Sequence, residues 1–227
     1  MPAAAAFFDL DRTLLSSSSS LALAASFRQR GLIGRSQLAK AAVAQLVFKR
    51  FGAGKRRVGN TAASAMSVLR GLPVETMSEL VVEAWEPVLR PLVYREAIDL
   101  AAEHSARGER VFVVSAALQE VVEQIVRELG FSGALASRAE VQDGVYTGRL
   151  ERRLYGAEKA VALRDLAQAE ELELPSSTAY SDSYSDLPFL EAVGHPMAVN
   201  PDRALRRIAR RRGWPVLRWR DQAYPAR

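Results

Sequence analysis

The chain has 227 residues, of which 48% are hydrophobic and 25% charged, with a net charge of +5; this is the make-up of a globular protein with a substantial core. It contains no cysteine and only two histidines, His104 and His195, which excludes disulfides, thiol catalysis, thiolate metal sites and a histidine-rich metal site. No apolar run approaches the roughly 18 residues of a membrane span.

The first element is the apolar run AAAAFF ending at Phe8, read as a buried β-strand. No basic segment precedes it and Asp9 interrupts it, so it does not read as a secretory leader, and a cytoplasmic protein is expected. The run delivers Asp9 and Asp11 two residues apart, followed by Thr13. Carboxylates this close repel one another and call for a cation or a shared proton. Mg²⁺ is held by such groups together with substrate phosphate oxygens.

A polar, hinge-like serine run at 16–20 follows. Four segments with helical spacing of apolar residues come next, at 21–33, 36–51, 57–72 and 75–89, punctuated by Gly31, Gly34, Gly52, Gly54, Gly71 and Pro73. From about residue 91 the pattern alternates strand and helix, which predicts a parallel sheet with helices on both faces.

Within that region VFVV (111–114) reads as a buried strand with Ser115 at its end, and a helix is expected over 116–130, stopped by Gly130. A hydroxyl between a strand end and a helix start can bond a phosphate oxygen, or simply cap the helix. EVQDGVYTGRLERR reads as a hairpin turning at Asp143-Gly144. Lys159 falls near the start of a further helix, where a lysine is usually solvated but can serve as a point charge for phosphate or aspartate. After a weak strand at 178–180 stand Asp182 and Asp186, then a helix whose apolar part runs from Leu187 to Val193, and a short strand at 197–199. A carboxylate at a strand end and another one turn later can face one metal, directly or through water. His104, in a polar segment, and His195, before Pro196, read as structural or exposed, and Trp85, Trp214 and Trp219 as packing residues.

The positive charge is local. It gathers at 49–57 and again at 203–220, where Arg203, Arg207 and Arg211, like Arg206 and Arg210, recur at helical spacing. A solvated helix face is the expected reading, with attraction to an anionic membrane surface the alternative. No nucleic-acid motif accompanies the charge, and no nucleic-acid partner is expected.

In order, D-x-D-x-T after a strand, Ser115 after a strand, Lys159 on a helix and D-x-x-x-D after a strand resemble the four signatures of the haloacid dehalogenase (HAD) superfamily, and within it the phosphoserine-phosphatase-like branch, subfamily IB. The resemblance implies a doubly wound, Rossmann-like α/β core, 1–16 and 92–227, with a helical cap of type C1 inserted at 17–91. It also implies a Mg²⁺-dependent phosphomonoester hydrolase acting on a small anionic or lipid-type phosphate through an aspartyl-phosphate. Asp9 would be the nucleophile and Asp11 the general acid and base; Thr13, Ser115 and Lys159 would bind the phosphoryl group. Asp9, Asp11 (by its backbone carbonyl), Asp182 and Asp186 (through water) would hold the metal. A phosphotransferase with an acceptor other than water, or a non-catalytic module on the same fold, are the alternatives. Departures from the family pattern are Arg12 where a smaller residue is frequent, Ser181 for a common glycine, Ser185 for a frequent asparagine, and Leu15 with the serine run in place of an amine-recognising glutamate. The missing glutamate argues against phosphoserine itself. Oligomeric state is not readable.

Overall fold

A computed structural model of the protein describes residues 3–31, 66 and 69–224. Seven strands form one sheet in the order β4-β3-β2-β1-β5-β6-β7. Every neighbouring pair is parallel except β3–β4.

The first strand, β1 (Ala5–Phe8), is buried along its whole length. It lies between β2 (Arg110–Leu118) and β5 (Thr178–Ser181), with Phe8 opposite Val113 on one side and Tyr180 on the other. Alternation divides its side chains between two cores. Ala6 and Phe8 pack with α3 (Arg95–Ala106) and α4 (Gln119–Leu129), whereas Ala5 and Phe7 pack with α5 (Ala157–Ala169), α6 (Leu187–Leu190) and α7 (Arg203–Arg212). Burying each phenylalanine contributes on the order of 2–3 kcal/mol. The doubly wound α/β architecture expected from the alternating pattern is therefore present.

From β1 the chain moves outward through β2 and β3 (Gly133–Gln142), then returns to continue on the other side through β5, β6 (His195–Val199) and β7 (Val216–Leu217). That reversal makes a crevice at the C-terminal ends of β1, β2 and β5, where open α/β sheets bind ligands. The hairpin of β3 and β4 (Val145–Arg152) turns as expected at Asp143-Gly144, with φ of 50° and 77°, the positive pair that a two-residue type I′ turn demands.

Several boundaries differ from the sequence reading. The expected helix at 116–130 begins at Gln119, because β2 continues to Leu118, but it stops at Gly130 with φ of 67° as expected. The helix at 75–89 is α-helical only as α2 (Val74–Ala84); Trp85–Leu89 widens into a π-helical turn. Pro87 lies in that turn, where a missing N–H is easier to accommodate than in a regular ladder. The helix after Asp186 closes at Leu190, and the backbone of Gly194 then passes so near Pro175 that a Cβ there would lie 1.8 Å from its carbonyl oxygen. The serine run is no loose hinge: Ser18 and Ser19 are buried, and Ser19 opens α1 (Ser19–Gln29). The expected helix at 36–51 and most of that at 57–72 lie outside the described residues. Among the described residues no helix is long and apolar enough to cross a membrane.

Candidate active site

The loop after β1 is tightly wound. Asp9 N–H donates to Tyr180 O at 2.9 Å, keeping it in the ladder with β5, while Leu14 N–H returns to Asp9 O and Leu15 N–H to Leu10 O. Arg12 takes the left-handed region, φ 62°, to close the turn. Asp9 and Thr13 are buried. Asp11 Oδ1 accepts from Ser19 N–H at 2.8 Å. Since Ser18 makes no side-chain cap, the Asp11 carboxylate takes over one of the unpaired N–H groups of α1 and meets its positive end.

Lys159 is 2% exposed, the reverse of the solvated lysine that helix position suggests. Its Nζ donates to Asp9 Oδ1 at 2.6 Å and to Asp186 Oδ2 at 2.7 Å. What aims it inward is Gly156, the N-cap of α5, with φ 63° and ψ −123°, a conformation open to glycine alone.

Ser115 is buried too, but inside β2, not in a helix cap. It sits where regular pairing with β3 ends after Val114, and its Oγ accepts from Ala117 N–H at 3.0 Å. Asp182 follows β5 directly and is 5% exposed; Arg12 Nε lies 3.3 Å from its Oδ2. Asp186 is held further by Ser181, whose Oγ donates to Oδ2 at 2.9 Å. The structure thus gathers Asp9, Lys159 and Asp186 by direct contact and ties Asp182 to the same loop through Arg12.

Three positioning residues carried weak or no sequence signal. Ser181 was visible only as a departure from glycine, and Arg12 only as an oversized residue in its motif. Asp202 was not singled out, though an Asp just before the arginine-rich helix is a cap signal; it accepts from Leu205 N–H and Tyr184 N–H, and its own N–H donates to Asp182 O.

Burial sets the electrostatics. It pushes Asp9 up to about 7, with the Asp186 and Asp11 charges adding and Lys159 opposing. It pushes Asp182 up to about 8, with Asp9 adding and Arg12 opposing. Asp11 is raised for the same reason, against the Ser19 hydrogen bond. Burial alone would lower Lys159, but the charges of Asp186 and Asp9 outweigh it and leave the ammonium raised. Asp9 and Asp182 therefore hold protons easily unless a cation compensates them.

Among the described residues no three Asp, Glu or His side chains close round one point. Each of the four carboxylates has one oxygen engaged, Asp9 and Asp186 by Lys159, Asp11 by Ser19 and Asp182 by Arg12. The charge of Asp9 raises the proton affinity of Asp182, and the remaining carboxylate oxygens of this pair fit a cation. Mg²⁺ suits such a set, because it binds through one or two carboxylates and completes its shell with water and substrate phosphate.

Residues 6–191 match the family described as haloacid dehalogenase-like hydrolase. The chain belongs to that family. It is 44% identical over 213 residues to a protein of Mycobacterium tuberculosis named probable phosphatase, covering 94% of this chain and 74% of that one. A phosphoserine phosphatase of the same organism is 36% identical over 228 residues, covering 99% and 73%. A phosphoserine phosphatase solved as a phospho-aspartyl intermediate analogue superposes with a TM-score of 0.72 at 21% identity, over 97% of this chain and 96% of that one. That last likeness speaks to the fold, which is the one expected from the ordered motifs.

Proposed function

We propose that this family member is a Mg²⁺-dependent phosphomonoester hydrolase working through an aspartyl-phosphate on Asp9. The observation that carries the reading is the buried Asp9 carboxylate at the end of β1, held 2.6 Å from the Lys159 ammonium, with Asp11 two residues on.

An Asp9 carboxylate oxygen attacks phosphorus in line as the bond to the ester oxygen breaks, and Asp11 gives that leaving oxygen its proton. Asp11, raised by burial, retains a proton more readily than a solvated aspartate. Water then attacks the acyl phosphate, Asp11 takes the water's proton, and inorganic phosphate leaves while Asp9 is restored. Lys159, Ser115 and Thr13 bind phosphoryl oxygens; Thr13 Oγ1 is buried with no partner among the described residues, as a donor awaiting a ligand would be. Asp9 and Asp182 would hold Mg²⁺ by their carboxylates, with the backbone carbonyl of Asp11 and, through water, Asp186 contributing. When bound, the ion offsets the negative charge of phosphoryl group and carboxylates.

The division into a core, 1–16 and 92–227, and a cap, 17–91, is part of this reading. It is supported by the neck where the chain leaves and returns: Ser16 N–H donates to Leu92 O at 2.7 Å, and Tyr94 N–H to Leu14 O at 3.0 Å. The cap would select a small anionic or lipid-type phosphate. Relatives that carry the name phosphatase favour hydrolysis over transfer to another acceptor. Phosphate release from a panel of monoesters, with Mg²⁺ or with EDTA, tests the reading. Metal-dependent release supports it, and a folded, Mg²⁺-loaded protein inert on every ester overturns it.

A second property rests on α7, where Arg203, Arg206, Arg207, Arg210, Arg211 and Arg212 are exposed while Leu205 and Ala209 anchor the helix. This face suits weak association of a cytoplasmic protein with an anionic membrane. Binding to vesicles containing phosphatidylserine should weaken with salt; binding indifferent to salt, or none, rules it out.

A further inference from the structure

Arg12 lies between Asp11 and Thr13, and its side chain is 38% exposed whereas that of Asp182 is 7% exposed. Its φ of 62° is costly for a long L side chain, and the other non-glycine residues with positive φ among those described are Asp143, Glu171 and Asn200. Strain of this kind persists where the surrounding structure requires it, and it clusters at ligand clamps and switches. Here the turn carries the guanidinium to within 3.3 Å of Asp182 Oδ2. Lys159, in turn, serves Asp9 and Asp186. The carboxylates are thus compensated by two cations of different character, one buried and one partly exposed to solvent.

Only the second can leave. Asp182 cannot give the same lone pairs to a guanidinium and to a divalent ion, and a partly exposed arginine has rotamers that lead outward. Once off Asp182, the guanidinium stays tethered by a backbone position directly after Asp11 and before Thr13, within reach of a substrate bound at that loop. There it would pair best with a planar anion, in two parallel hydrogen bonds. We propose that Arg12 exchanges partners, covering Asp182 in the metal-free protein and pairing with a second anionic group of the substrate, such as a carboxylate, once Mg²⁺ is bound. This rests on the metal-dependent reading and adds a specificity determinant to it.

The test combines Mg²⁺ titration calorimetry without substrate with kcat/KM for two esters, 3-phosphoglycerate and glycerol 3-phosphate, which differ by a carboxylate in place of a neutral hydroxymethyl group. The variants are Arg12→Gly, which suits the positive φ, Arg12→Gln, which keeps the strain without the charge, and Arg12→Lys, which keeps the charge without the fork. Both uncharged variants should bind Mg²⁺ about tenfold more tightly than wild type and lose about tenfold of the preference for 3-phosphoglycerate, as expected for one charge-assisted contact. Arg12→Lys should keep the weaker Mg²⁺ binding and part of the preference. Unchanged Mg²⁺ affinity in Arg12→Gly and Arg12→Gln overturns the exchange. Tighter Mg²⁺ binding with an unchanged preference, or no turnover of either ester, overturns the substrate half. Mg²⁺ bound by neither wild type nor variant defeats the metal-dependent reading and the exchange with it.

Discussion

Lys159 Nζ stands between Asp9 Oδ1 at 2.6 Å and Asp186 Oδ2 at 2.7 Å, so one buried ammonium joins the loop after β1 to the loop after β5. All three side chains are under a tenth exposed. Removing one member of such a cluster leaves the others buried without compensation, at about 3–5 kcal/mol.

Lys159→Met should therefore lower stability by about 3 kcal/mol at pH 8. The loss should shrink toward pH 5, where Asp9, raised to about 7, can take a proton instead. Urea unfolding of the metal-free variant and wild type at both pH values checks this. An equal loss at both would show that the lysine contributes packing and not charge.

Gly156 offers a second test of the same contact. Alanine at φ 63°, ψ −123° should cost about 1–3 kcal/mol, or tilt α5 and draw Lys159 away from Asp9. Thermal unfolding of Gly156→Ala, read beside its kcat, should show both losses. A variant as stable and active as wild type would mean that the start of α5 does not depend on glycine.

These two residues also mark where sequence reasoning ran out. The carboxylates were legible because Asp9 and Asp182 directly follow short buried strands, with Asp11 two and Asp186 four residues further on, and strand ends are readable from apolar runs. From helix position alone Lys159 was not, because a lysine three residues into a helix reads as solvated and its partner Asp9 lies 150 positions away; only the order of the four motifs singled it out, as a phosphoryl-binding residue. Ser115 was found as a phosphate-binding hydroxyl, but placed between a strand end and a helix start, since VFVV gives no sign that β2 runs on to Leu118. The hairpin was legible from Asp143-Gly144, whose turn chemistry is local. The π-helical turn at Trp85–Leu89 was not, because apolar spacing is too coarse to see one widened turn.

The raised proton affinities of Asp9 and Asp182 fix the pH dependence of the metal-free protein. Both groups bind protons more tightly folded, near 7 and 8, than at their ordinary value of 3.8. Their contribution to stability is thus fully present below about pH 4 and is lost as pH rises through 7 to 8. In EDTA, the melting temperature should fall between pH 6 and 8 more steeply in wild type than in Asp182→Asn. Mg²⁺ should restore more stability at pH 8 than at pH 6, because it replaces protons on these carboxylates. A metal-free wild type whose stability is flat over this range, or matches Asp182→Asn throughout, would show that the two carboxylates are not desolvated as described.

The central claim is that Asp9 is the group phosphorylated during turnover. Its most direct test is phosphate release by Mg²⁺-loaded Asp9→Asn beside wild type, on whichever ester wild type hydrolyses fastest. The account predicts a folded, Mg²⁺-responsive variant whose kcat falls by at least about 10³-fold. Turnover within tenfold of wild type would contradict it and move the chemistry to another residue.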